Sequence, residues 1–118
     1  MAGLSASAPR DRQRLPEATL SLVALAYSEL RGDLRRLLVS RWDEPVRRRA
    51  EELSTALDGA CQRQDCPDLA RLFRSVTNLA RLSRADALLV LPALREKFEL
   101  LMREIETFLP KWSDRSCG

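Results

Sequence analysis

The chain contains no histidine. That absence removes imidazole as a general acid or base, as a metal ligand and as a phospho-acceptor. Residues that favour strands are also scarce, with five valines, four threonines and a single isoleucine. Glycine occurs only four times, and no glycine-rich phosphate loop can be drawn from them. No apolar run approaches the roughly 18 residues of a membrane span. Residues 1–14 have no apolar core and carry Arg10, Arg12 and Arg14 late, so they do not read as a secretory signal. The three cysteines, Cys61, Cys66 and Cys117, are odd in number and form no C-x-x-C. Free thiols in a reducing cytoplasm are the expectation.

What is present points one way. Leucine occurs 22 times and alanine 14 times in 118 residues, and 45% of the chain is hydrophobic against 31% charged. This is the composition of one all-α domain. Arginine supplies 18 of the 20 basic residues, a bias that reads as GC-rich codon usage. The net charge of +3 is spread along the chain rather than gathered on one element, which argues against a dedicated nucleic-acid surface.

Residues 1–14 lack periodicity and are expected to form a mobile arm ahead of a helical domain at 15–110. From Pro16, the residues Leu20, Val23, Tyr27, Leu30, Leu34 and Leu37 step by threes and fours, predicting a helix over 16–41 that continues through Gly32. A glycine there costs only about 1 kcal/mol relative to alanine. Asp43 is placed to cap a second helix over 44–62, with Val46, Ala50, Leu53, Leu57 and Ala60 inward. Its outer face carries Glu44–Arg48, Arg47–Glu51 and Arg48–Glu52 at ion-pair spacing. Asp65 is the expected cap of a third helix over 67–82, whose buried face is Leu69, Leu72, Phe73, Val76, Leu79 and Ala80. Ser83 to Asp86 has capping-box spacing, predicting a short helix at 84–90. Pro92 then opens a last helix over 92–109, with Leu91, Leu94, Phe98, Leu101, Ile105 and Leu109 as its seam. Residues 111–118 form a tail. Four amphipathic helices with short connections predict a four-helix up-and-down bundle, with the segment at 84–90 as a short extra helix.

Catalytic chemistry finds little to stand on. Glu96, Glu99, Glu104 and Glu106 share the last helix, but its inward positions are hydrocarbon, so no carboxylate metal site is expected. Cys61 lies at the edge of an apolar seam and reads as a core thiol rather than a nucleophile. Neither an enzyme nor a cofactor or metal site is expected.

The candidate partner-binding residues are Arg71, Arg74, Asn78, Arg81 and Arg84, with Trp112 in the tail. On a helical wheel the arginines, Asn78 and Thr77 fall away from the apolar set. No acid of the same helix neutralises the middle of this ridge, which suits an acidic or phosphorylated partner. Arg47-Arg48-Arg49 point in three directions and read as a solvated face. Trp42, at an element end, reads as a lid on the bundle. Leu22, Leu25 and Leu100 lie off the seams, and with the apolar run Leu88 to Leu91 they are the hydrocarbon expected to remain exposed.

Leu72-Phe73-Arg74-Ser75-Val76, followed by Leu79, resembles the stretch around the phospho-acceptor in the histidine phosphotransfer domains of chemotaxis kinases, which are also helical bundles. In that family a His, then a Lys and a Gly, complete the motif; here Thr77, Ala80 and Arg81 stand there. The resemblance implies a bundle that has lost phosphotransfer and docks a receiver domain. The residues themselves favour a non-catalytic regulatory, adaptor or scaffold module, cytoplasmic and off the membrane. It would dock another protein through helix faces, or a second copy as a homodimer. A nucleic-acid binder using the Arg ridge is the remaining alternative.

Overall fold

The computed structural model describes residues 15–109, which form five α-helices and no strand. The expected arm at 1–14 and the tail with Trp112 lie outside the described residues. The helices are α1 (Glu17–Val39), α2 (Glu44–Arg63), α3 (Pro67–Ala80), α4 (Arg84–Leu89) and α5 (Leu91–Glu106). No helix among the described residues is long and apolar enough to cross a membrane.

Each boundary has a local cause. α1 ends two residues before the expected 41 because Arg41 and Trp42 take positive φ values of 54° and 61°. The Trp42 amide reaches back to the Leu37 carbonyl at 3.3 Å, the six-to-one bond of a Schellman motif, usually closed by glycine. The same device ends α2. Asp65 sits at φ 61° and the Cys66 amide bonds the Cys61 carbonyl at 2.9 Å. Asp65 is therefore a helix terminator rather than the expected cap, and Cys66 holds the N-cap position of α3. Asp43 and Ser83 do cap α2 and α4, accepting from the amides of Val46 and Asp86. Val90 separates α4 from α5, with Pro92 in the first turn of α5, where its missing N–H costs nothing. α5 ends at Glu106 rather than 109; the amides of Thr107, Phe108 and Leu109 bond carbonyls three residues back, a tightened last turn.

Packing brings each long helix against two others. α2 and α3 share the most extensive contact, followed by α1 with α2, α3 with α5, and α1 with α5. The seams meet in one core, where Tyr27, Leu30, Leu34, Leu37, Trp42, Phe73, Val76, Phe98 and Ile105 are fully buried. Burying a large apolar side chain contributes about 1.5–3 kcal/mol. Tyr27 and Phe73 meet edge-on at 6.4 Å, and Trp42 lies against Phe98 at 6.2 Å. Trp42 Nε1 donates to the Leu82 carbonyl at 2.9 Å, tying the α1–α2 turn to the end of α3.

Cross-helix polar contacts complete the frame. Arg47 and Arg49, expected on a solvated face, are ties between helices. Arg47 donates to the Ala80 carbonyl at 2.9 Å and to Glu44 and Glu51. Arg49 grips buried Asp33 of α1 through two bonds of 2.7 and 2.8 Å. Only Arg48 keeps the expected character, exposed beside Glu44 at 3.7 Å.

Candidate functional site

The arginines of the ridge stand on the outer face of α3 and the start of α4, as the heptad spacing of their sequence dictates. Arg71, Arg74, Asn78, Arg81 and Arg84 are all exposed. Two of their charges, however, are answered from the neighbouring helix, and Arg71 has an acid on its own helix. Arg74 reaches Asp58 of α2 with two contacts of 3.1 and 3.3 Å. Arg81 reaches Glu51 at 3.0 Å, and Arg71 lies 3.7 Å from Asp68. The Arg47 and Arg81 guanidiniums together hold the Glu51 carboxyl below the usual carboxylate range. A shallow depression of about 560 Å³ between α2 and the ridge is thus lined by charges already paired, among them Arg47, Glu51 and Arg81. Arg74 and Arg81 make their part of the ridge a seam of ion pairs with α2.

Thr77 does not belong to that ridge. It is 4% exposed, and its Oγ1 donates toward Ser54 Oγ at 2.7 Å and the Phe73 carbonyl at 3.0 Å. The position corresponding to the acceptor of histidine phosphotransfer domains is therefore sealed between α2 and α3, out of a partner's reach.

Asn78 faces a second open feature. With Ser75 and Leu79 it forms one wall of a groove of about 430 Å³, and Lys97, Leu100, Leu101 and Glu104 of α5 form the other. Its floor is hydrocarbon, with Leu79 and Leu101 half-buried and Leu100 53% exposed. The rim is polar, and Lys97 and Glu104 stand two turns apart along α5, giving the groove a positive and a negative end. Leu100 is marked in the sequence by falling off the last seam. Leu79 and Leu101 carry no such mark, because each also reads as a core position.

Other chemistry-bearing groups are enclosed. Cys61 is fully buried, and burial pushes its thiol up to about 12; a thiol so protected from ionisation is a poor nucleophile. Burial also raises the Cys66 thiol, and both are free cysteines. The Tyr27 hydroxyl donates to Glu106 Oε2 at 2.6 Å, with the Met102 carbonyl at 3.3 Å. Burial, followed by that hydrogen bond, shifts Tyr27 upward. Among the described residues, no group of three or more Cys, Asp or Glu side chains is placed to hold a metal ion.

Outside the core, Leu22, Leu25, Val39, Leu88, Leu89 and Val90 are exposed as well as Leu100. Of the residues expected to stay exposed, Leu91 alone is half-buried, and Val39 adds exposed hydrocarbon outside that set. The chain matches no protein-family model, no curated protein and no solved structure.

Proposed function

We propose that the protein is a non-catalytic interaction module of the cytoplasm, acting as an adaptor or regulator, in which α1, α2, α3 and α5 make an up-and-down four-helix bundle and α4 is a short insertion. The partner is an amphipathic helix of another protein, laid in the groove between α3 and α5. The observation that carries this reading is the exposed hydrocarbon of Leu100 on a floor shared with Leu79 and Leu101, bounded by Asn78 and by opposite charges at Lys97 and Glu104. Apolar contact supplies affinity in such a groove, and the charged ends select the direction of the incoming helix. An occupant therefore carries leucines at helical spacing, an acid toward Lys97 and a base toward Glu104. The Arg ridge contributes less than its sequence promises, since ion pairs with Asp58 and Glu51 already occupy Arg74 and Arg81.

The reading is tested with two synthetic amphipathic peptides, one with the acid-to-base order just described and one with that order reversed. Binding to the purified full chain is followed by calorimetry. The first peptide is expected to bind at least tenfold tighter than the second. Leu100→Asp should abolish binding, while Arg74→Ala and Arg81→Ala leave it unchanged. Equal affinity for both peptides, or indifference to Leu100→Asp, overturns the groove as a docking site. Tight binding of random-sequence duplex DNA, lost steeply with added salt and with Arg74→Ala, would instead put the ridge on a phosphate backbone.

A further inference from the structure

Among the described residues no other helix covers the outward face of α1, and its residues repeat. Ala18, Leu25, Gly32 and Val39 recur every seventh position, all exposed and on the side away from Tyr27, Leu30 and Leu34. One flank of this row holds Leu22, Glu29 and Arg36; the other holds Ser21, Ser28 and Arg35, again all exposed. Leu25 is 66% and Val39 81% exposed.

Gly32 lies in the middle of the row. Glycine is the poorest helix former after proline, yet nothing among the described residues calls for it. Its φ is not positive, and a Cβ added there would meet nothing within 4 Å. A glycine on an open helix face, beside Ser28 one turn earlier, allows another backbone to approach closely.

We propose that this face binds a second copy of the chain, with two α1 helices crossing antiparallel at Gly32 about a two-fold axis. The charges suit that partner in that arrangement. A dyad perpendicular to the helix brings each flank against the same flank running backwards, so Glu29 of one copy meets Arg36 of the other, twice. The same symmetry sets Leu25 against Val39 of the second copy on either side of the glycine contact. Parallel helices would instead set this flank against Ser28 and Arg35 of the second copy and leave Arg36 without its acid. Arg36 is available for the exchange. Its contact within the chain is a long one, 3.9 Å to an Asp33 that Arg49 already holds at 2.7 Å, and its side chain is 65% exposed. The interface is isologous and closes at two copies. It involves none of the residues of the α3–α5 groove.

Sedimentation equilibrium of the full chain over a concentration series tests the proposal. The mass is expected to rise from 13.4 kDa toward twice that value. Gly32→Gln replaces glycine by a good helix former in open space, so the thermal midpoint should rise while the dimer weakens at least tenfold. That opposition separates interface loss from unfolding. Glu29→Arg and Arg36→Glu should each weaken the dimer, and the two together should restore it. Leu100→Asp should leave it unaltered, so the groove and the dimer can fail separately. A monomer up to millimolar concentration overturns the proposal. So does a dimer indifferent to Gly32→Gln, or a double charge exchange that fails to rescue.

Discussion

The α2–α3 pair and the attachment of α5 are built on different principles. Between α2 and α3 the facing side chains include Ala50, Ser54, Ala70, Thr77 and Ala80, all buried and all small. Short side chains let the helices approach, and this pair shares the most extensive contact in the molecule. Close approach also brings polar groups within reach, so the interface holds the Thr77–Ser54 bond inside and the Arg74–Asp58 and Arg81–Glu51 pairs along its edge. α5 presents Leu94, Phe98, Met102 and Ile105 to the core instead. Its polar ties sit near its two ends, where Arg95 donates to the Leu38 carbonyl at 3.2 Å and Glu106 meets Tyr27 and Arg31. One pair is positioned by directional bonds between close backbones, whereas α5 is held by bulky hydrocarbon. The groove lies beside α5, where hydrocarbon is left over.

The largest test of that contrast is Phe98→Ala. Phe98 is fully buried against Trp42, and its truncation is expected to cost about 3–5 kcal/mol in urea unfolding. A cost below about 1 kcal/mol would show that α5 is not held by its seam.

A smaller effect probes the other side. Thr77 Oγ1 donates to Ser54, whose own hydroxyl reaches the Ala50 carbonyl at 2.9 Å. Ser54→Ala or Thr77→Val alone should cost about 0.5–1.5 kcal/mol, the net worth of the hydrogen bond between them, since Thr77 keeps the Phe73 carbonyl and Ser54 the Ala50 carbonyl. The double substitution should cost no more than the worse single one, giving a coupling of about 1 kcal/mol in a double-mutant cycle. Simple additivity would mean the two hydroxyls act independently and that close packing alone positions α2 on α3.

How much of this was legible in the chain follows from the same contrast. Apolar seams are a property of one helix at a time, so Val23, Tyr27, Leu30, Leu34 and Phe98 could be read inward from spacing alone. Leu22, Leu25 and Leu100 could be read outward for the same reason. The polar seam belongs to two helices at once. Thr77 falls near the arginines on a wheel, and nothing in its own helix announces that Ser54 waits opposite. Likewise Arg74 and Arg81 look unneutralised until Asp58 and Glu51 are brought alongside from α2. Arg47 and Arg49 read as solvated from sequence because their partners, the Ala80 carbonyl and Asp33, lie on other helices. The Schellman closures at Arg41 and Asp65 lack the glycine that usually marks them. The groove combines both difficulties: its exposed Leu100 was visible, but its pairing with Asn78 and Leu79 of α3 was not.

Alkaline titration separates the two regions with the gentlest perturbation. Cys61 lies at the α2–α3 end of the molecule, and its thiol is pushed from 9.0 up to about 12 by burial, with Cys66 and Asp58 adding to the shift. Tyr27, shifted upward from 10.0, lies on the α1–α5 side. In each case the unfolded chain loses its proton first while the folded chain keeps it. Stability is therefore full below the unfolded value and falls as pH rises toward the folded one. The decline should begin near pH 9 with Cys61 and Cys66, both raised by burial, and steepen above pH 10 as Tyr27 joins. By one and a half pH units above its unfolded value, Cys61 alone should have removed about 1–2 kcal/mol. Thermal unfolding across this range should find the first limb flattened in Cys61→Ala and the second retained. If Cys61→Ala leaves the slope of the first limb unchanged, the thiol is not the group sealed at the end of α2, and the early limb must come from another group.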